Sequence, residues 1–156
     1  SQLRVGGGIL LARVLAVCIS SARQEAKKSV PEAQFIAGEG IEGDSHKGFS
    51  DRHVSLLRAE DIRAAEVEAG ISFPPGSLAE NLVIEGLPSE IPIGTKLKVG
   101  PEVILLVAEK GKKPDESHSY DYKGWCLLPK VGYFLQVLKG GVVRPGDEVV
   151  IVRGDP

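Results

Sequence analysis

The chain has 156 residues and a formal net charge of −2, so its length fits one domain with a core of its own. The slight negative charge argues against a nucleic-acid-binding protein that uses a broad basic face, and no apolar run approaches the roughly 18 residues of a membrane span. Two cysteines, Cys18 and Cys126, are too few for a disulfide framework and favour a reducing compartment, so a cytoplasmic location is expected.

The first half of the chain predicts short strands and one helix. Residues 1–10 are expected to be a flexible lead or an expression remnant, and residues 11–153 to form one domain. Strands are predicted over residues 9–19, 32–37 and 54–57, with a charged loop over 20–29. An apolar stripe predicts a helix over 59–69, and Gly70 is a natural C-terminal stop for it.

The second half predicts further strands and a second helix. Residues 78–85 are expected to form a strand, and 96–99 pairs with 102–109 in a hairpin. Val131, Phe134, Leu135 and Leu138 follow the spacing i, i+3, i+4, i+7, which predicts a helix over 131–139. A last strand covers 148–152. With no βαβ alternation, the fold class is mainly β: a closed or partly closed, mostly antiparallel β-barrel with two or three short helices.

A glycine-rich stretch over residues 38–57 is the first candidate site. Gly38, Gly40 and Gly43 have G-x-G-x-x-G spacing and precede Asp44. Such glycines reach positive φ and leave main-chain N–H groups free to face an anion. No helix follows, which excludes a dinucleotide fold, and no G-K-[ST] follows, which excludes a P-loop. The alternative is a tight turn between strands.

Five blocks in order carry a resemblance to a known family: GEGIEGDSHKG, RHVSLL, PPGSLAENLVIEG, IPIGTKLKVG and GWCLLPKVGYFLQVLKGGVVRPGDEV. Together they resemble the MOSC domain family, named after the C-terminal domain of molybdenum cofactor sulfurases, and in particular its small stand-alone bacterial members. The resemblance implies a β-barrel with a pocket at one end. It also implies binding of molybdenum cofactor (molybdopterin), molybdenum ion or pyridoxal phosphate, with a sulfur-carrier role or catalytic activity.

One departure from the family concerns its sulfur-carrying cysteine. Family members usually have a G-K-x-C-H-x-x-C stretch after the strongest strand, whereas residues 111–118 here contain no cysteine. Cys126 matches a later Gly-x-Cys-x-x-Pro block and is therefore the candidate catalytic residue and metal ligand, with Lys123, Lys130 or His118 able to activate its thiol. The alternative is a buried small residue beside Trp125.

The candidate cofactor-binding residues are Gly40, Gly43, Asp44, His46, Arg52, His53, Asn81 and Lys112. Arg52 suits bidentate contact with a phosphate, while Glu80 and Asn81, within an apolar run, either line the pocket or hold the preceding loop. A metal site formed by His46, His53 and His118 is a further alternative, and the sequence Ser117-His118-Ser119 does not by itself define a catalytic triad.

The sequence therefore leaves two functional hypotheses, and whether the chain is an enzyme stays open between them. In the first, the chain binds molybdenum cofactor or a related anionic small molecule, with a sulfur donor of the cysteine desulfurase type or a cofactor enzyme as partner. In the second, it is a non-catalytic binding or docking module that lacks the usual cysteine. Neither nucleic acid nor a membrane is expected as a partner.

Overall fold

The computed structural model describes residues 3–5, 8–10, 12–22, 25–45, 47–48, 52–111 and 121–152. The strands of the first part are β1 (Leu3–Val5), β2 (Gly8–Leu10), β3 (Ala12–Ile19), β4 (Lys28–Ser29), β5 (Ala33–Ile36), β6 (Gly40–Ile41) and β7 (Val54–Arg58). Helix α1 (Ala59–Ala69) is followed by β8 (Leu82–Glu85), β9 (Lys96–Val99) and β10 (Val103–Lys110). Helix α2 (Leu128–Val131) is followed by β11 (Tyr133–Lys139), β12 (Gly141–Val143) and β13 (Glu148–Val152).

Seven of these strands close into a barrel. Their order is β13-β9-β10-β11-β7-β8-β3, and β13 pairs back onto β3 through Glu148 opposite Arg13 and Val149 opposite Ala12. Strand β4 pairs with the end of β3, and a separate small sheet has the order β12-β5-β6. The predicted fold class, a closed and mostly antiparallel β-barrel with short helices, is confirmed.

The barrel contains one parallel strand pair among the described residues, and a helix connects its two strands. Strands β7 and β8 are parallel, with Leu56 opposite Leu82, and α1 connects them. The helix has Glu60 and Asp61 in its first turn and ends at Gly70, whose φ of 71° is left-handed, as expected from its sequence. The helix prediction is confirmed. The β7-α1-β8 connection is a single βαβ unit and not the βαβ alternation that the sequence argued against.

The apolar side chains fill two layers. Alternate residues of the strands, among them Leu56, Leu97 and Leu135, point into the barrel and form its core. The intervening residues, such as Leu57 and Phe134, face outward and pack beneath α1. Because strands β7 and β11 are covered on both faces, their sequences are apolar without a clear alternation.

The predicted helix over residues 131–139 is wrong for most of its length. Only Leu128–Val131 is helical, Gly132 is extended, with φ −76° and ψ 162°, and Tyr133–Lys139 forms a barrel strand between β10 and β7. Phe134 faces the outer layer, whereas Leu135 faces the barrel. Burial on both faces of a strand produced apolar spacings that mimic a helical stripe.

Other boundaries differ locally. The strand predicted over residues 78–85 begins only at Leu82, because Ala79 has a left-handed φ of 66° that no strand residue adopts. The strands predicted over 54–57, 96–99 and 148–152 are present, as is the hairpin between β9 and β10. No helix among the described residues is both long and apolar enough to cross a membrane.

Candidate functional site

The glycine-rich stretch is bonded to the rest of the protein. The amides of Gly38, Asp44 and Ser45 donate to the carbonyl oxygens of Val137 (2.9 Å), Ile41 (3.1 Å) and Ser20 (2.7 Å). At Gly40, φ is +128°, and a Cβ would lie 3.1 Å from the His53 carbonyl oxygen. Gly43, with φ +84°, faces a methyl group of Ile19. In the described part of the stretch, these amides and glycines therefore serve chain packing. Any binding site here depends on the side chains.

Asp44 belongs to a buried ion pair. Its Oδ1 lies 2.8 Å from Lys27 Nζ, and the two side chains are 0% and 1% exposed. The Ser20 amide donates to the same oxygen at 3.1 Å, and Lys27 Nζ also donates to Ser20 Oγ at 3.1 Å. This pairing offsets the cost of removing both charges from water. Lys27 was not predicted from the sequence, because a lysine in a charged segment is normally solvated.

Asn81 connects three strands beneath the outer layer. Its Oδ1 accepts the Ser55 amide at 2.9 Å, and its Nδ2 donates to the Cys18 carbonyl oxygen at 2.9 Å. The residue is fully buried. The hydrogen bonds of the side-chain amide therefore hold β3 and β7 at the start of β8.

Glu80, also fully buried, binds the loop that precedes it. Its carboxylate oxygens accept the amides of Gly76 (3.0 Å) and Leu78 (3.1 Å). Burial raises the pKa of Glu80 to about 7, against the opposing effects of these hydrogen bonds and of Lys27. Burial likewise raises the pKa of the nearby Cys18 thiol to about 12, so Cys18 stays protonated at neutral pH and is unsuited to thiolate chemistry.

Arg52 and His53 lie beside the barrel strands. Arg52 Nε donates to Glu109 Oε2 at 2.7 Å and its Nη2 to Oε1 at 3.3 Å, and its guanidinium carbon lies 5.2 Å above the centre of the Phe134 ring. His53 is buried, and its Nδ1 accepts the Val137 amide at 3.3 Å. His46, Lys112 and His118 lie outside the described residues.

A cavity of about 440 Å³ lies between α1 and the segment 124–131, and Cys126 is in its wall. Cys126 is half-buried. The residues that line the cavity are Asp61, Ala64, Ala65, Glu68, Gly124, Trp125, Cys126, Leu127, Lys130 and Val131. The wall therefore combines a thiol with one ammonium and two carboxylates. Of these carboxylates, Asp61 is already paired with Arg58, Nη1 to Oδ1, at 3.1 Å.

The structure separates the predicted site residues into distinct places. Asp44 and Asn81 make buried polar contacts with Lys27 and Ser55. Arg52 and His53 directly precede strand β7, and Cys126 is in the wall of the cavity beside α1. None of the candidate cofactor-binding residues within the described ranges lines that cavity, whereas Lys130, a candidate for activating the Cys126 thiol, does. No cluster of three or more His, Cys, Asp or Glu suited to a metal ion occurs among the described residues.

Sequence reasoning missed the contribution of α1 to this cavity. Asp61, Ala64, Ala65 and Glu68 follow i, i+3, i+4, i+7 and therefore share one helix face. That spacing is visible in the sequence. What the spacing does not reveal is that this face lies opposite Trp125 and Cys126, more than fifty residues along the chain.

Comparison with known proteins identifies the family. Residues 43–150 match the MOSC domain, so the chain belongs to the MOSC domain family, and the resemblance carried by the five sequence blocks is confirmed. A comparison with curated proteins finds no significant match.

Solved structures with the same fold include the YuaD protein of Bacillus subtilis, at a TM-score of 0.70 and 19% identity over 89% of this chain and 94% of that one. YiiM of Geobacillus stearothermophilus has a TM-score of 0.65 and 19% identity, over 91% of this chain and 75% of its own. YiiM of Escherichia coli has a TM-score of 0.63 and 19% identity, over 92% of this chain and 71% of its own. At these identities the likeness concerns the fold.

Proposed function

We propose that this MOSC domain binds an anionic cofactor of the molybdopterin class in the cavity between α1 and residues 124–131, with Cys126 as sulfur carrier or metal ligand. The observation that carries the proposal is the position of Cys126, half-buried in the wall of a cavity of about 440 Å³. Ligand sites in proteins have volumes of about 300–1,000 Å³.

The donor groups of the wall fit such a group in part. A thiolate is the form of cysteine that ligates metals and accepts sulfur. Cys126 borders this cavity, whereas Cys18 is fully buried. Lys130 supplies a positive charge toward an anion, whereas Glu68 opposes it. When bound, the cofactor would supply a molybdenum centre, and the residues of this chain would hold and orient it.

The candidate cations outside the cavity wall would contact the phosphate of the ligand. Arg52 lies over Phe134, a residue of the same outer apolar layer as Leu127 and Leu128, but it does not line the cavity itself. Its pairing with Glu109 holds it there until an anion competes. Lys112 and His46 remain candidates from the sequence for the same role, alongside His53.

The test is elemental analysis and native mass spectrometry of protein co-expressed with the enzymes of molybdenum cofactor synthesis. Molybdenum and a pterin mass that co-purify with the wild type and are lost in Cys126→Ser are the expected result. Cys18→Ala is the matched control, because it removes the other thiol of the chain, and it should retain the cofactor. The same spectra detect pyridoxal phosphate by its mass.

Two results contradict the proposal in different ways. Cofactor that still co-purifies with Cys126→Ser would show that Cys126 is not the essential ligand, and Arg52 and the histidines would be tested next. Wild-type protein that stays empty in ample cofactor rejects cofactor binding altogether.

The second candidate function is a non-catalytic docking module for a sulfur-donor protein of the cysteine desulfurase type or for a cofactor enzyme. It is favoured by the lack of any cysteine in residues 111–125 and by the two carboxylates in the cavity wall. The two cysteines of the chain, Cys18 and Cys126, are too few for a disulfide framework, which agrees with a reducing compartment such as the cytoplasm. Empty protein that nevertheless co-purifies with such an enzyme is the result that selects this function.

A further inference from the structure

Gly124 and Trp125 in the wall of the cavity belong to a two-residue turn. Tyr122 and Trp125 exchange both backbone hydrogen bonds, at 2.8 and 2.9 Å. The residues between them, Lys123 and Gly124, have φ of 51° and 85°, the positive values at both positions that a type I′ turn requires. Cys126 follows this turn directly and precedes the buried residues Leu127 and Leu128, so on its N-terminal side the position of the thiol depends on what holds Tyr122 and Trp125.

Phe73 is the residue that contacts both aromatic side chains of the turn. Its ring centroid lies 5.9 Å from that of Tyr122, at an interplanar angle of 75°, and 5.8 Å from that of Trp125, at 54°. These separations are typical of edge-to-face aromatic pairs. Phe73 is 4% exposed and does not line the cavity.

The backbone of Phe73 is held independently of its ring. Its amide donates to Glu66 Oε2 at 2.7 Å, which ties it to α1, the opposite wall of the cavity. Further along the same loop, the Glu80 carboxylate accepts the amides of Gly76 and Leu78. The loop that carries Phe73 is therefore held by hydrogen bonds at Phe73 itself and at Gly76 and Leu78, and none of these bonds involves the ring.

We propose that Phe73 is a positioning residue for Cys126. Through its contacts with Tyr122 and Trp125, it sets the distance between the turn that carries the thiol and helix α1. The inference deepens the proposed function, since it assigns the geometry of the same cavity, but it is tested by measurements that require no cofactor.

The first experiment measures alkylation of Cys126 by iodoacetamide in Phe73→Leu, with the modified cysteine located by peptide mass. Cys18 is fully buried and serves as the internal reference for unfolding. Loss of the ring should expose the half-buried thiol and speed its alkylation several-fold with no change at Cys18. Phe73→Tyr, which keeps the ring, should restore the slow rate.

The second measurement uses Trp125, the single tryptophan of the chain. Its emission in Phe73→Leu should shift to longer wavelength, as expected when a packed indole becomes more exposed to water. Ile84→Val removes a methylene from the barrel core and is the matched control for a general loss of packing. It should change neither the emission nor the alkylation rate.

Alkylation and emission that change no more in Phe73→Leu than in Ile84→Val would overturn the positioning role. Cys18 alkylation that rises in parallel with Cys126 would also overturn it, since the effect would then be global unfolding. Cofactor retention, measured separately by native mass spectrometry, decides the proposed function, so the two can fail independently.

Discussion

At the scale of single residues, the buried polar side chains mainly hold the chain together. Lys27 and Asp44 neutralise each other, Asn81 bonds to neighbouring strands, and Glu80 binds the loop before it. A buried polar group is expensive to leave without partners. This explains why residues of the family-like blocks, which the sequence suggested as binding residues, are needed by the fold itself.

Glu80 should make the stability of the protein depend on pH. Burial raises its pKa from 4.5 to about 7, so the folded state holds a proton that the unfolded chain releases between these values. The protonated carboxyl therefore contributes on the order of 3 kcal/mol to the free energy of unfolding. This contribution is fully present below pH 4.5 and is lost as pH rises to 7. Urea unfolding of the wild type and Glu80→Gln at several pH values measures it.

The expected effect is a change with pH in the stability difference between the wild type and Glu80→Gln. Glu80→Gln cannot ionise, so the wild type should lose stability relative to this variant as pH rises from 4.5 to 7. Glu85→Gln, at a partly exposed ion pair with Arg63, is the control and should leave the pH profile of the wild type nearly unchanged. A constant difference between wild type and Glu80→Gln over this range would contradict the assigned pKa.

At the scale of elements, the loop between α1 and β8 is shaped by contacts with a distant segment. The Lys27 amide donates to the Gly76 carbonyl oxygen at 2.8 Å. A Cβ at Gly76, where φ is +84°, would lie 2.1 Å from the Lys27 carbonyl oxygen. Gly76 is therefore required both by its backbone conformation and by the close approach of a second backbone.

Gly76→Ala should be far more destabilising than Gly94→Ala. Gly94 also has a positive φ, +94°, but a Cβ there meets nothing within 4 Å. Both variants lose about 1–2 kcal/mol from the left-handed conformation, and Gly76→Ala adds a steric overlap that costs about 1–3 kcal/mol more. Urea midpoints of the two variants test this, and equal midpoints would show that the loop can move away from Lys27.

At the scale of the whole molecule, β13 closes the barrel. It pairs with β9 over four residues and with β3 over two, and Val149 lies opposite both Val99 and Ala12. Backbone hydrogen bonds from Val14 to Asp147 (2.9 Å) and from Gly146 to Val14 (2.7 Å) extend this seam. The closure removes the free strand edges that an open sheet would expose.

Val149→Asp should therefore open the seam. The side chain is 3% exposed, and a carboxylate without a partner at this position is expected to cost more than about 3 kcal/mol. Val152→Asp, at the 36% exposed end of the same strand, should cost under about 1 kcal/mol.

Urea unfolding measures both effects, and hydrogen exchange should show early loss of protection in β3 and β9 for Val149→Asp. Similar stability losses in the two variants would mean that the seam contributes little to the barrel.

Much of the fold was accessible from the sequence where a signal is local. Helix α1 has its apolar stripe and its terminal glycine within residues 59–70, and the β9–β10 hairpin joins neighbouring strands. The failures occur where a contact is distant. The segment 133–139 is a strand because β10 and β7 lie on either side of it, and β7 and β8 are parallel because α1 separates them.

The sequence by itself determined the family, through five ordered blocks, and the closed β-barrel class, through its short apolar segments and turns. It also singled out Cys126 as the cysteine of a recognisable motif. Only the tertiary structure decided that Asp44 faces Lys27, that α1 and Cys126 share a cavity, and that Phe73 supports the turn in between. Each of these contacts joins residues that are not neighbours in the chain. Which residues meet is decided by tertiary packing, and a local sequence pattern does not show it.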